Sequence, residues 1–232
     1  MSILSIWFRA SAPARNGARI MTTASDGRFW SRNAKKYAKG IISDPAGYER
    51  TLEQTRRLMK PNHRVLELGC GTGTTALRLA GDARTYDATD ISPKMIAIAE
   101  DKHMSTPIAG LTFRTATVDA LPLDDGQADM ILGFNYLHLV RDLPGTLEHI
   151  HAILAPHGLF ISKTPCLGNM NSLIGLVLLP MMRAMGKAPH AGVFSAAELA
   201  QLMEATGFNI LAMENHASRG DDHRPYIVAC KQ

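Results

Sequence analysis

Cysteine is scarce in this 232-residue chain: Cys70, Cys166 and Cys230 are the three, and no two form a CxxC pair. That argues against a disulfide framework or a structural zinc site and points to a reducing compartment. No Gly-Lys-Ser/Thr triplet occurs, which excludes a Walker phosphate loop, and no HExxH or comparable grouping announces a metal. Long apolar runs are missing too: the stretch from Leu173 to Met182, interrupted by Gly175 and Pro180, is about half a membrane span. The formal charge of +4 is not a basic surface. Arg9, Arg15 and Arg19 sit in an acid-free first 25 residues, and the remaining 22 basic and 21 acidic side chains nearly balance. Nothing in that distribution predicts affinity for a nucleic-acid backbone.

The first twenty residues, MSILSIWFRASAPARNGARI, are acid-free, arginine-dotted and partly apolar, as transit peptides and amphipathic anchors are. A disordered extension upstream of Met21 is the plainer alternative, and residues 1–25 are read as flexible. Helices are expected over 29–39 and 44–60. From residue 64 onward strand and helix signals alternate. Strands are expected over 64–68, 84–89, 111–115, 128–133 and 159–163, with helices over 74–80, from Ser92-Pro93 to about His103, and over 143–154. This βαβα rhythm implies a parallel sheet covered on both faces. Ser195 and Glu198 form a capping-box pattern for a helix that Gly207 ends. Two further strands, 208–213 and 225–230, flank the polar loop SRGDDHR with no helix between them, so they should be antiparallel neighbours.

The most informative stretch is VLELGCGTGTTALRLA, from Val65. Glycines directly after a strand let backbone N–H groups approach a ligand, and the following helix adds partial positive charge. The spacing is GxGxG, and Thr74 stands where the pyrophosphate fingerprint wants its third glycine, which tilts away from a nicotinamide or flavin dinucleotide. Asp90, seventeen residues beyond Gly73, is placed to accept hydrogen bonds from both hydroxyls of a ribose, or else to cap the next helix. Asp119 in VDALPL lies just past the third strand, where a carboxylate could meet an adenine amino group.

Taken in order, VLELGCGTGTTALRLA, TDISPKMIAIAE, VDALPL and ADMILGFNYLHLV resemble the motifs of class I S-adenosylmethionine-dependent methyltransferases, nearest the group containing quinone-ring and small-molecule methylating enzymes. The motifs span residues 65–140. The resemblance implies an α/β, Rossmann-like, doubly wound sheet of seven strands with the last antiparallel, N-terminal helices, and an apolar insert after strand five. It divides the domain into helices over 26–63, a cofactor-binding core over 64–163, a substrate-side insert or lid over 164–194, and a C-terminal helix and strand pair over 195–232. It implies that Glu67 opens the glycine motif and that Gly69, Cys70, Gly71, Thr72 and Gly73 wrap the methionyl part of the cofactor. Asp90 would then hold the ribose, Ile91 and Met95 the adenine face, and Asp119 with Ala120 the adenine edge. Phe134 and Asn135 would face the sulfonium. FWSRNAKKYAKG resembles the group's N-terminal helix, in which Tyr37 would reach the carboxylate end of the cofactor.

Methyl transfer from a sulfonium is an in-line displacement, so alignment and desolvation can lower much of the barrier without a dedicated catalytic group. For a phenol or hydroxyl acceptor His138 is the candidate base, the alternative being a structural histidine. His149 and His151, two apart on a helix, do not share a face and are expected toward solvent. Trp30, Leu173, Leu176 and Met182 are the expected substrate walls. Their apolar character favours a phenol, quinone precursor or lipid-like amine, since a strongly anionic acceptor calls for more than Arg183 and Lys187. The expected location is cytoplasmic, with peripheral membrane contact through the N-terminus or residues 173–185 as an alternative. Two other readings stay open: a non-catalytic cofactor-binding subunit and a nicotinamide-dependent oxidoreductase.

Overall fold

The computed structural model describes residues 16–121, 127–169 and 190–232, with side chains from residue 24 onward. Two helices, α1 (Asn16–Ala38) and α2 (Pro45–Leu58), precede the sheet. Helix α1 starts well before the segment expected over 29–39 and runs back into the stretch read as a flexible extension. No proline interrupts the chain between Asn16 and Ala38, so the helix continues through Gly17 and Gly27. In α2, Pro45 fills the first turn and the Asp44 carboxylate caps the Gly47 amide at 3.0 Å.

Alternation then follows as expected: β1 (Arg64–Leu68), the short α3 (Ala76–Leu79), β2 (Thr85–Asp90), α4 (Pro93–Ser105), β3 (Leu111–Thr115), β4 (Ala128–Phe134), α5 (Leu143–Ile153), β5 (Leu154–Lys163), α6 (Ala196–Ala205), β6 (Phe208–Glu214) and β7 (Tyr226–Lys231). The strands form one seven-stranded sheet in the order β3-β2-β1-β4-β5-β7-β6. All ladders among β1 to β5 are parallel, and β7 runs antiparallel to both β5 and β6. Strand five begins earlier than expected because the Pro156–Gly158 turn is absorbed as an irregularity in its ladder with β4, with His157 at a φ of 62°.

Successive residues of β4 divide the core. Ile131 joins Leu147, Ile150, Leu199 and Met203 under α5 and α6, whereas Met130 and Leu132 pack with Leu52, Leu79 and Ile96 on the opposite face. The order of strands reverses between β1 and β4, which opens a crevice beyond their carboxyl ends, the place where open α/β sheets bind ligands. Ser195 and Glu198 make both bonds of the capping box on α6. The segment 170–189 lies outside the described residues, and so do the expected wall residues Leu173, Leu176 and Met182. Its flanks meet, since the Gly168 amide donates to the Phe194 carbonyl and the Ala196 amide to Asn169 Oδ1.

Candidate active site

The glycine loop after β1 is built on positive φ angles: 69° at Gly69, 56° at Gly71 and 74° at Gly73. The three do different work. A Cβ on Gly69 would come within 2.8 Å of the Tyr136 ring, and one on Gly71 within 3.4 Å of Tyr37, so both lie against aromatic side chains of the crevice. A Cβ on Gly73 would strike Ala99 Cβ and the Phe113 ring at 2.8 Å. Gly73 borders neither of the two cavities at this edge, and its missing Cβ lets α4 and β3 pack against the loop. Lys102 fixes the loop from α4 by donating to the Thr72 carbonyl at 2.9 Å and to Thr72 Oγ1 at 3.1 Å.

Asp90 is tied to the same loop. Its Oδ2 accepts from the Gly71 amide at 3.0 Å and its Oδ1 from the Ser92 amide at 2.8 Å. Ser92, not Asp90, caps α4, its hydroxyl accepting from the Met95 amide at 3.2 Å. An ionised carboxylate has about four acceptor sites, so two remain on Asp90 for donors in the crevice. Burial raises its pKa against the pull of those two amides. Glu67 lies nearby on β1, accepting from the Tyr86 hydroxyl at 2.9 Å, and burial pushes its carboxyl up to about 7. The buried Cys70 thiol is raised far above its ordinary value by desolvation and so stays protonated and inert.

Two cavities open at the carboxyl ends of the strands. One, about 800 Å³, runs from the loop past Asp90, Ile91 and Met95 to Val118 and Asp119. The other, about 860 Å³, is walled by Phe29, Tyr48, Thr51, Lys163, Arg219 and Asp222, with Glu67, Cys70 and Thr72 at its floor. Trp30, Tyr37, Gly69, Phe134, Asn135 and Arg224 border both, so the cavities meet at the tip of β4. There Asn135 takes a φ of 52°, which asparagine tolerates, and its amide donates to the Lys163 carbonyl at 2.7 Å. Ala120 is exposed and borders neither cavity, so only Asp119 of the expected adenine-edge pair faces the crevice.

Helix α1 roofs the junction. Arg141 clamps Asp26 with two hydrogen bonds of 2.8 and 3.0 Å, Ser31 Oγ meets Ser92 Oγ at 2.9 Å, and Trp30 stands edge-on to Tyr37. These contacts bring the N-terminal helix, including Tyr37, over the glycine loop.

His138 borders the same cavity as Asp90, with Nδ1 3.0 Å from Thr164 Oγ1. The same hydroxyl oxygen accepts from the His138 amide at 3.3 Å. Desolvation, helped by Arg224 and His190, pushes the imidazole pKa down to about 4. The ring is therefore neutral at physiological pH and a weak base. His149 and His151 are not solvent-facing as expected: His149 Nε2 lies 3.2 Å from the Leu121 carbonyl, and His151 stands edge-on to Phe208. Sequence reasoning missed Lys163, Arg219 and Arg224 altogether. Their only signal was basic residues at a strand end and in the loop SRGDDHR.

The crevice chemistry fits an adenosyl sulfonium. It offers carboxylates at Glu67, Asp90 and Asp119 and an apolar slot at Ile91, Met95 and Val118, which suit a nucleoside bearing hydroxyl donors and positive charge. Among the described residues no group of His, Cys, Asp and Glu could hold a metal ion, and no helix is long and apolar enough to cross a membrane.

Comparisons with known proteins place the chain in a family. A family profile described as "Methyltransferase domain" matches residues 30–213. The mitochondrial arginine-hydroxylase NDUFAF5 of Danio rerio is 29% identical over 153 residues, covering 65% of this chain and 46% of the relative. The chain thus spans less than half of that protein's length. Among solved structures, the cyclase SpnF superposes with a TM-score of 0.69 at 17% identity, covering 96% of this chain and 99% of that one. Magnesium protoporphyrin IX methyltransferase of Synechocystis PCC 6803, solved with bound S-adenosylhomocysteine, gives 0.64 at 19% identity, covering 93% and 98%. At such identities the two structures speak to fold. With the ordered motifs, the loop-and-acid geometry and a family match over most of its length, the chain belongs to the class I S-adenosylmethionine-dependent methyltransferases.

Proposed function

We propose that this protein transfers the methyl group of S-adenosylmethionine to a hydrophobic small molecule, in the class of phenols, quinone precursors or lipid-like amines. One observation carries the reading: the cavity of about 800 Å³ beside Asp90 and the second of about 860 Å³ join at Trp30, Tyr37, Phe134 and Asn135. When bound, the cofactor supplies a methyl group already activated on a sulfonium. The chain's own part is placement and exclusion of water. Asp90 and the loop amides fix one end of the crevice, Asp119 the other, and Glu67 offers a carboxylate at the floor. Trp30 and Tyr37 on α1 close the junction from above, and Phe134 presents an aromatic face there. Alignment of this kind lowers a displacement barrier without proton transfer. For a hydroxyl acceptor His138 supplies a neutral imidazole at the cavity wall, and its depressed pKa makes it a modest base.

The fold also serves proteins named for other chemistry, a hydroxylase and a cyclase among those compared, so the test must read methyl transfer itself. Calorimetric titration with S-adenosylmethionine, S-adenosylhomocysteine and NADH should give binding of the first two only. A panel of hydrophobic phenols and amines, assayed for release of S-adenosylhomocysteine, should then yield turnover. Binding of NADH in place of the methyl donor would return the protein to the oxidoreductases. Binding of the donor with no turnover across the panel would favour a cofactor-binding subunit.

A further inference from the structure

The larger cavity is more basic than its sequence suggested, and its arginines are not paired with acids as many others are. Arg56, Arg64, Arg78, Arg114 and Arg141 each hold a carboxylate, of Asp82, Asp129, Glu49, Asp87 and Asp26 respectively. Arg219 and Arg224 line the cavity and hold none among the described residues. Lys163, at the end of β5, is half-buried in the same wall. Its Nζ donates to Thr51 Oγ1 at 3.1 Å, which leaves two N–H bonds with no partner among the described residues. Thr51 is itself held, donating to the Gly47 carbonyl at 2.9 Å with His216 Nδ1 3.0 Å away, so the ammonium is aimed and not free to swing.

A partly desolvated cation is costly, and desolvation lowers the Lys163 pKa, with Asp222 and Asp44 offsetting part of that cost. The two acids relieve it only in part. Asp44 is engaged by the amides of Gly47 and Ser218, and Asp222 Oδ1 by the amide of Arg224. The lining brings four cations, Lys36, Lys163, Arg219 and Arg224, against three acids, Asp44, Glu67 and Asp222, so the wall has donors to offer an anion.

We propose that Lys163, Arg219 and Arg224 receive an anionic group of the methyl acceptor, a carboxylate or a phosphate, so that the preferred acceptor is an apolar or aromatic body with an acidic end. This rests on the methyl-transfer reading and narrows it away from lipid-like amines. The Lys163 carbonyl is bonded to the Asn135 amide at the cavity junction, and Arg224 borders both cavities, so the bound anion sits beside the place of transfer. A guanidinium can grip either anion through two parallel bonds, while the ammonium adds a point charge.

The test is calorimetric titration of protein saturated with S-adenosylhomocysteine, using 1-naphthoate against 1-naphthamide and benzyl phosphate against benzyl alcohol. The anionic member of at least one pair should bind tighter by about tenfold or more, the scale of one charge-assisted hydrogen bond. Which pair shows it separates a carboxylate from a phosphate site. The preference should shrink to less than about threefold in Arg224→Gln, with Lys163→Met as the second variant; the exposed arginine can be replaced without disturbing the core. Equal binding of neutral and anionic members, no binding by any of the four, or a preference that survives both substitutions would overturn the inference and leave the methyl-transfer reading standing. Failure of S-adenosylhomocysteine to bind the unmodified protein would remove that reading first, and this one with it.

Discussion

Replacing Glu67 with glutamine separates a buried charge from its shape. Glu67 is 3% exposed, and desolvation lifts its carboxyl from 4.5 to about 7, reinforced by Asp90 and opposed by the Tyr86 hydroxyl. Between those values the folded protein keeps a proton that the unfolded chain has released, so stability without ligand declines as pH rises through that window. At about 1.4 kcal/mol for each pH interval, the ionised form costs about 3 kcal/mol above pH 7. Glutamine has nearly the same volume and can still accept from Tyr86, though the neutral bond is weaker by about 1 kcal/mol. Glu67→Gln should therefore lie within about 1 kcal/mol of the natural protein near pH 5 and be more stable by about 2 kcal/mol near pH 8. Urea unfolding of both proteins across that range gives the difference directly, and groups common to both cancel. Affinity for the cofactor should move the other way, because the carboxylate that burdens the empty fold lies in the floor of the crevice. Stability curves that run parallel from low to high pH would refute the buried-charge argument, whatever the affinity does.

Three other substitutions or profiles probe the site. Asp90→Ala removes an acceptor from the Gly71 and Ser92 amides as well as from the ribose position. At about 1.5–3 kcal/mol for each hydrogen bond to a charged group, loss of two should weaken S-adenosylhomocysteine binding by at least about a hundredfold in calorimetry. Unchanged affinity would sink the assignment. Gly73→Ala meets a φ of 74° and contacts of 2.8 Å with Ala99 and Phe113, so it should destabilise by more than about 2 kcal/mol in thermal or urea unfolding. The fraction still folded should bind cofactor nearly as before; a stable variant with lost affinity would put Gly73 back in the ligand site. Because the His138 pKa is pushed down to about 4, its ring is neutral above that value. The profile of kcat/KM should then show no inflection from it between about pH 6 and about pH 8, and an inflection there that disappears in His138→Ala would contradict its burial.

The fold was legible because its signals are local. Short apolar runs, Ser92-Pro93, the Ser195–Glu198 box and glycine at the end of β1 each specify a short piece of backbone, and the handedness of parallel crossovers then leaves little choice. The residues expected to face the cofactor are brought together for the same reason. Glu67, Gly69, Gly71, Asp90 and Asp119 lie at strand ends, which the sheet brings to one edge. Tertiary contact, which no single stretch of sequence shows, decides the surroundings of the rest. Gly73 looks like its two companions in sequence, yet its missing Cβ accommodates Ala99 and Phe113 from α4 and β3. Ala120 follows Asp119 but turns outward with the short helical turn over Val118–Ala120. His149 and His151 look exposed on a helix whose apolar face is clear, and both are half-buried by neighbours from elsewhere in the chain.

The acceptor side was illegible for a different reason: it has no single stretch of sequence. Thr51 comes from α2, Asn135 from the tip of β4, Lys163 from the end of β5, and Arg219 with Arg224 from the connection between β6 and β7. None of these is unusual alone. A lysine ending a strand and arginines in a polar loop are ordinary surface residues until β7 inserts antiparallel between β5 and β6 and places that loop beside the Lys163 end of β5. Register does this directly, since Lys163 pairs with Tyr226, two residues from Arg224. The cofactor half of the crevice is thus written in motifs that any member of the fold can carry. The proposed acceptor half depends on which side chains the antiparallel strand and its loop deliver to the same edge, a placement that no motif records.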